Sequence, residues 1–137
     1  MLSKLFNKAK KKKSSNDDEL NKIMKDIEES EKKEELFQQQ QQRLAEAKQE
    51  EKAGNIEKAK EIYTELAYKG TEDVTPFLRL AILYRKEKNY DKEVEILDRG
   101  IYVFENEINK ERLDRVKKLQ QLEDRLEKAK ELQQKNN

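Results

Sequence analysis

The side chains that could do chemistry here are almost all carboxylates and amines: 30 Asp and Glu against 31 Lys and Arg. Cysteine and histidine are absent. That removes thiol nucleophiles, imidazole general bases, disulfides and zinc sites of the usual kind. Two carboxylates can in principle work as general acid and base. In this sequence, however, the acids mostly alternate with lysines, as in "EKKEE" (31–35) and "DRLEKAKE" (124–131). Spacings of three and four place opposite charges beside each other on a solvated helix face. The sequence has no Gly-rich phosphate loop, no Ser–His pair and no metal-ligand constellation. These residues point to a chain that is not an enzyme and takes no cofactor or metal.

The elements that must carry these charges are helices. Charged residues make up 45% of the 137 positions and hydrophobic ones 34%, against roughly 25% charged in an ordinary globular domain. Glu, Lys, Gln, Leu and Ala are good helix formers, and three Gly with one Pro leave few places to turn. An all-α chain with long solvated faces follows. No apolar run reaches the ~20 residues of a membrane span, and no secretory h-region is evident, so a cytoplasmic location is expected. The Lys-, Glu-, Asn- and Ile-rich composition suggests an AT-rich bacterium or its phage.

The net charge of +1 conceals an asymmetry. Residues 1–13 hold six lysines and no acid, leaving 25 basic and 30 acidic residues elsewhere. In "MLSKLFNKAKKKK", Leu2, Leu5, Phe6 and Ala9 recur at i, i+3, i+4 and i+7, one face of a short helix among lysines. Residues 1–16 therefore read as a basic amphipathic or disordered arm. Leu2, Leu5, Phe6 and Lys10, Lys11, Lys12 and Lys13 are its candidates for weak contact with an anionic membrane, at the inner membrane face. Phosphate contact would be sequence-blind, so nucleic acid is the weaker reading. A solubilising tail is the third. Ser15 with Asp18, or Asn16 with Glu19, can cap a helix starting near Asp17. Its stripe is Leu20, Ile23, Met24 and Ile27. Residues 17–39 read as a charged N-terminal helix.

All five Tyr, all three Gly and the Pro lie between Gly54 and Phe104, where side chains pack and the chain reverses. This segment contains a repeat. Asn55, Ile56, Glu57, Lys58 and Ile62 align without a gap on Asn89, Tyr90, Asp91, Lys92 and Ile96, at an offset of 34 residues. "AGN" (53–55) and "KNY" (88–90) are the two inter-helix turns. Thr75-Pro76 reads as an N-cap followed by the first helical residue. Phe77, Leu80-Ala81 and Tyr84 stand on the helix after it, and Ala59 and Tyr63 on the helix after the first turn. In period, turn and these positions the segment resembles the tetratricopeptide repeat, a helix–turn–helix module. Two units would span 40–107, the first degenerate: Arg43, Glu46 and Glu50 replace large apolar residues. Glu93 takes a small-residue position in the second, and its stripe is expected to move to Tyr90, Val94, Leu97, Ile101 and Phe104. A plain helical hairpin bundle with the same period is the alternative.

The resemblance implies an all-α, short helical-repeat (α-solenoid) domain that holds a protein or peptide. Its partner groove would use Leu44, Lys48, Lys52, Leu78, Ile82, Arg85 and Lys86, apolar anchors with a basic edge suited to an acidic peptide. A Lys/Asn/Arg carboxylate clamp of the kind some members use is not matched, because Lys48 and Ile82 occupy the Asn positions. Two units need capping. A helix from about Glu107, within residues 108–137, is expected to cover the second unit with Ile108, Leu113 and Val116. The stripe from Leu119 to Leu132 would then pack in trans as a coiled coil, pack on the Leu20–Ile27 helix, or stay solvated. A self-associating coiled-coil subunit is accordingly the rival to a protein-binding adaptor.

Overall fold

The computed structural model describes residues 16–136. The regular elements among them are α-helices: α1 (Asp17–Lys52), α2 (Ile56–Tyr68), α3 (Thr75–Lys86), α4 (Tyr90–Asn106) and α5 (Arg115–Lys135). The chain is all-α. Two compact units divide between Gln39 and Gln40, within α1. In the first, Asp17, Asp18 and Glu19 occupy the opening turn of α1, where carboxylates meet the positive end of the helix dipole. No Gly or Pro interrupts the 36 residues of α1. Leu20, Met24 and Ile27 are half-buried, while Ile23, Leu36 and Phe37 are exposed.

In the second unit, two turns close in the same way. Gly54 has φ 87° and Lys88 has φ 60°. At the first, Asn55 N–H donates to Glu50 O (2.8 Å) and Gly54 N–H to Glu51 O (3.1 Å). At the second, Asn89 N–H donates to Tyr84 O (2.9 Å) and Lys88 N–H to Arg85 O (2.9 Å). Each is a left-handed helix stop that satisfies the last free carbonyls. Asn89 then accepts from the N–H of Lys92 and caps α4. The linker before α3 departs by one residue from expectation. Val74 is the cap, and Thr75 and Pro76 are both helical. The Asp73 carboxylate takes the Thr75 N–H (2.8 Å). Pro76 stays in the first turn, where its missing donor costs nothing.

Helices α2 and α3, α3 and α4, and α4 and α5 pack as successive neighbours, and α2 also touches α4. Their core holds Ile62, Tyr63, Phe77, Leu80, Leu97, Val103 and Phe104. Phe77 and Phe104 meet edge to face, centroids 6.4 Å apart, a contact of about 0.5–1.5 kcal/mol beyond burial. Gly100 lets α4 approach α3: a Cβ there would lie 3.0 Å from Phe77 Cγ. The last turns of α1 contribute Leu44 and Ala47. Arg43, at a position expected to be apolar, pairs with Glu65 of α2 at 2.6 Å and Glu46 at 2.7 Å. Glu93 does not displace the stripe of α4. It is itself fully buried, alongside Ile96, Leu97, Gly100, Val103 and Phe104, because Arg85 partners its carboxylate (2.7 Å).

The C-terminal helix begins at Arg115, not near Glu107. Between them, side chains compete with the helix for backbone groups. Asn109 Oδ1 accepts from the Glu111 N–H (2.9 Å), and Arg112 donates to the Glu72 carbonyl and to Asp114 (both 2.5 Å). Ile108 is buried as expected, but Leu113 and Val116 are exposed and cover nothing. Coverage comes instead from Leu122 and Ala129, both fully buried, with Leu119 and Leu126 beside them. The stripe expected to pack in trans, on the Leu20–Ile27 helix, or to stay solvated therefore packs in cis on α4. Arg115 bonds the Phe104 carbonyl (2.9 Å) and Gln133 bonds Asp91 (2.8 Å), so α4 and α5 run antiparallel.

Candidate functional site

The residues expected to line a groove divide among three environments. Leu44 is buried in the core at 4% exposure and is unavailable as an anchor. Lys48 and Lys52 on α1, and Lys86 on α3, are exposed. Leu78, Ile82 and Arg85 on α3 are half-buried. α3 thus presents two partly accessible aliphatic side chains with cations at its C-terminal end, where Arg85 and Lys86 also favour the helix dipole. The arm residues Leu2, Leu5, Phe6 and Lys10 to Lys13 lie outside the described residues.

α1 and α3 are clasped by a polar cluster that the sequence reading missed. Arg79 Nε donates to Glu51 Oε1 (3.0 Å), and its Nη2 donates to Glu51 Oε2. The Tyr63 hydroxyl donates to the same carboxylate (2.9 Å). Hydrogen bonding from Arg79 holds the Glu51 carboxyl below its usual range against the effect of burial, with Tyr63 assisting. Burial, followed by the Glu51 contact, pushes the Tyr63 phenol up. A lone arginine in the apolar run "PFLRLAIL" is the one local signal that marked Arg79.

A second pair sits six residues further along α3. Arg85 Nε donates to Glu93 Oε2 (2.7 Å), and the Glu93 side chain is fully buried. Arg85 Nη2 and Glu93 Oε1 are buried and have no partner among the described residues. Arg125 of α5 is within electrostatic influence of Arg85, Glu93 and Arg79. Its Nε is also buried and unpartnered. Burial lowers the Arg125 pKa, as do the Arg85 and Arg79 charges, while Glu93 opposes the shift. Two arginines of α3 thus pair with glutamates of α1 and α4, and Arg125 of α5 is under the influence of both arginine charges. Nothing local in the sequence separated Arg125 from the other cations of α5.

On another face, Thr64, Tyr68, Tyr84, Lys92, Glu95 and Ile96 line an open cleft of about 230 Å³. Lys60 and Lys92 stand 5.4 and 5.8 Å from the Tyr84 ring centre. Lys60 is already paired with Glu57 (2.9 Å) and Glu87 (2.6 Å). Among the described residues, no cluster of three or more acidic side chains is placed to hold a metal, and no helix is long and apolar enough to cross a membrane. No family model matches the chain, and neither a curated protein nor a solved structure does.

Proposed function

We propose that this chain is a non-enzymatic protein-binding module, a tetratricopeptide-like adaptor that holds a peptide along α3 and the end of α1. The observation that carries this reading is the α3 face. Leu78 and Ile82 are half-buried and still accessible, and Arg85 and Lys86 follow them. Lys48 and Lys52 stand exposed on the helix that Arg79 and Glu51 clasp to α3. An apolar pair with a cationic border suits a partner that offers aliphatic and acidic side chains. The repeat reading is supported by the two helix stops at Gly54 and Lys88, which share one hydrogen-bond pattern 34 residues apart.

The test is a pull-down from native lysate with mass-spectrometric identification. Wild type is compared with a Leu78→Glu/Ile82→Glu protein of unchanged helix content. A protein recovered by wild type alone is the expected result. Identical sets from both baits would sink the reading. A second reading, self-association as a coiled-coil subunit, is favoured by Ile23, Leu36 and Phe37, exposed by 54%, 52% and 47% on the N-terminal part of α1. Sedimentation at two concentrations separates the two. A mass that rises with concentration and reverts in Ile23→Glu/Phe37→Glu would establish self-association.

A further inference from the structure

The first half of α1 carries an apolar stripe that does not belong to the core. Leu20, Met24 and Ile27 are half-buried and Ile23 is exposed, while among the described residues the core begins only at Leu44. Acids surround the stripe. Residues 17–39 hold nine acids against four lysines, a net charge of −5, and Asp18 and Glu19 in the first turn are exposed. A second copy of this helix would bring the same negative charge against it. One segment of the chain has the opposite character. The arm from Leu2 to Lys13 holds six lysines, no acid and the apolar set Leu2, Leu5, Phe6 and Ala9. The arm lies outside the described residues, and its sequence ends just before α1. There, the Leu20 N–H donates to the Asn16 carbonyl (3.0 Å).

We propose that residues 2–12 fold back as a helix on residues 17–27 of α1, an antiparallel hairpin that covers the stripe and neutralises the acids of its first turn. The sequence is mirror-symmetric about the Ser14–Ser15 bond at the positions this needs. Reflection there carries Leu2 onto Ile27, Leu5 onto Met24, Phe6 onto Ile23 and Ala9 onto Leu20. Antiparallel helices advance in opposite directions at the same ~1.5 Å per residue. Reflected residues therefore stay level, and the two stripes meet along their length. The same reflection carries Lys10, Lys11 and Lys12 onto Glu19, Asp18 and Asp17, opposite charges at matching heights. Lys4 falls on Lys25, the single like-charged pair it produces. The residues left between the helices, Lys13 to Asn16, fit the two to five or so that join an αα-hairpin. Ser14, Ser15 and Asn16 are turn formers. Docked in this way, the lysines suited to an anionic membrane are held by acids of their own chain. The contact then competes with any surface the arm can reach.

The experiment uses the full chain. It contains no cysteine, so Ser3→Cys takes a single nitroxide label outside both stripes. Broadening of backbone amide NMR signals then reports which residues lie near the label. The expected result is broadening strongest around Asp26, which the reflection sets level with position 3, and weaker at Asp17. Broadening strongest at Asp17 and falling steadily along α1 would mean an undocked arm and would overturn the proposal. Two variants of the labelled chain test the two halves of the contact. Leu5→Asn/Phe6→Asn leaves the charges untouched, and Lys10→Glu/Lys11→Glu/Lys12→Glu leaves the stripe untouched. Each should abolish the maximum at Asp26. In the second, adding Asp18→Lys/Glu19→Lys should restore it, a rescue that a loss of helix in the arm would not give. A maximum that survives either variant would overturn the pairing. A last sample mixes labelled chain with unlabelled, isotope-enriched chain. Broadening at Asp26 of the enriched chain would place a second copy's arm there and overturn the fold-back. Its absence, with the maximum present in the labelled chain itself, is the expected outcome.

Discussion

Lys88 holds a left-handed backbone, φ 60°, where the preceding turn uses Gly54 at φ 87°. A side chain costs roughly 1 kcal/mol in that region. Lys88→Gly should therefore stabilise the protein by about 0.5–1 kcal/mol, read as a higher urea midpoint with an unchanged slope. Gly54→Ala should cost about 1 kcal/mol. Nothing lies within 4 Å of a Cβ built at Gly54, so that loss would be purely conformational. Glu51 makes a pH-dependent case. Arg79 holds its carboxyl below the ordinary 4.5, against burial, with help from Tyr63. A lowered carboxyl pKa stabilises fully above the unfolded value and loses that stabilisation as pH falls through the folded one. Glu51→Gln should flatten the fall of Tm below about pH 4.5. An unchanged acid slope would show that the Arg79–Glu51 contact contributes no net stability. Both glycine-type turns were legible as "AGN" and "KNY". The partners of Glu51 were not, because Tyr63 and Arg79 lie 12 and 28 residues away.

Between elements, close approach decides the sign of a substitution that helix propensity alone would misjudge. Gly100→Ala gains about 1 kcal/mol of propensity in α4. The added methyl, though, would meet the fully buried ring of Phe77 at 3.0 Å, and overpacking costs about 1–3 kcal/mol. The expected outcome is a net loss, measured by thermal denaturation. Gly100→Ala/Phe77→Leu should recover part of it. A stabilised single variant would mean that α3 and α4 can separate freely. α5 teaches a related lesson. Its periodicity showed one apolar stripe from Ile108 to Leu132, and the stripe exists from Leu119 onward. Its first part failed because Asn109, Arg112 and Asp114 bond nearby groups instead of continuing a helix. Its destination was not legible, since a heptad-like spacing serves a helix in cis and one in trans equally well.

Across the whole molecule, the two compact units predict separable behaviour. Among the described residues, the core from Leu44 to Ala129 lies within residues 40–137. A fragment of those residues should unfold cooperatively, with a Tm within about 2–4 °C of the full chain. A fragment that fails to fold would show that the first unit supplies part of the stability. The sequence by itself determined the helical class, the turns, the 34-residue repeat and most of the apolar positions that became core. These follow from local propensity, left-handed stops and periodicity, which act over a few residues. Only the tertiary structure decided that Leu44 is core rather than an anchor, that Glu93 is buried, and that Arg79 finds Glu51 and Arg85 finds Glu93. Charged residues on amphipathic helices look alike in one dimension. Which of them lose water and which find a carboxylate depends on helices brought together from distant parts of the chain.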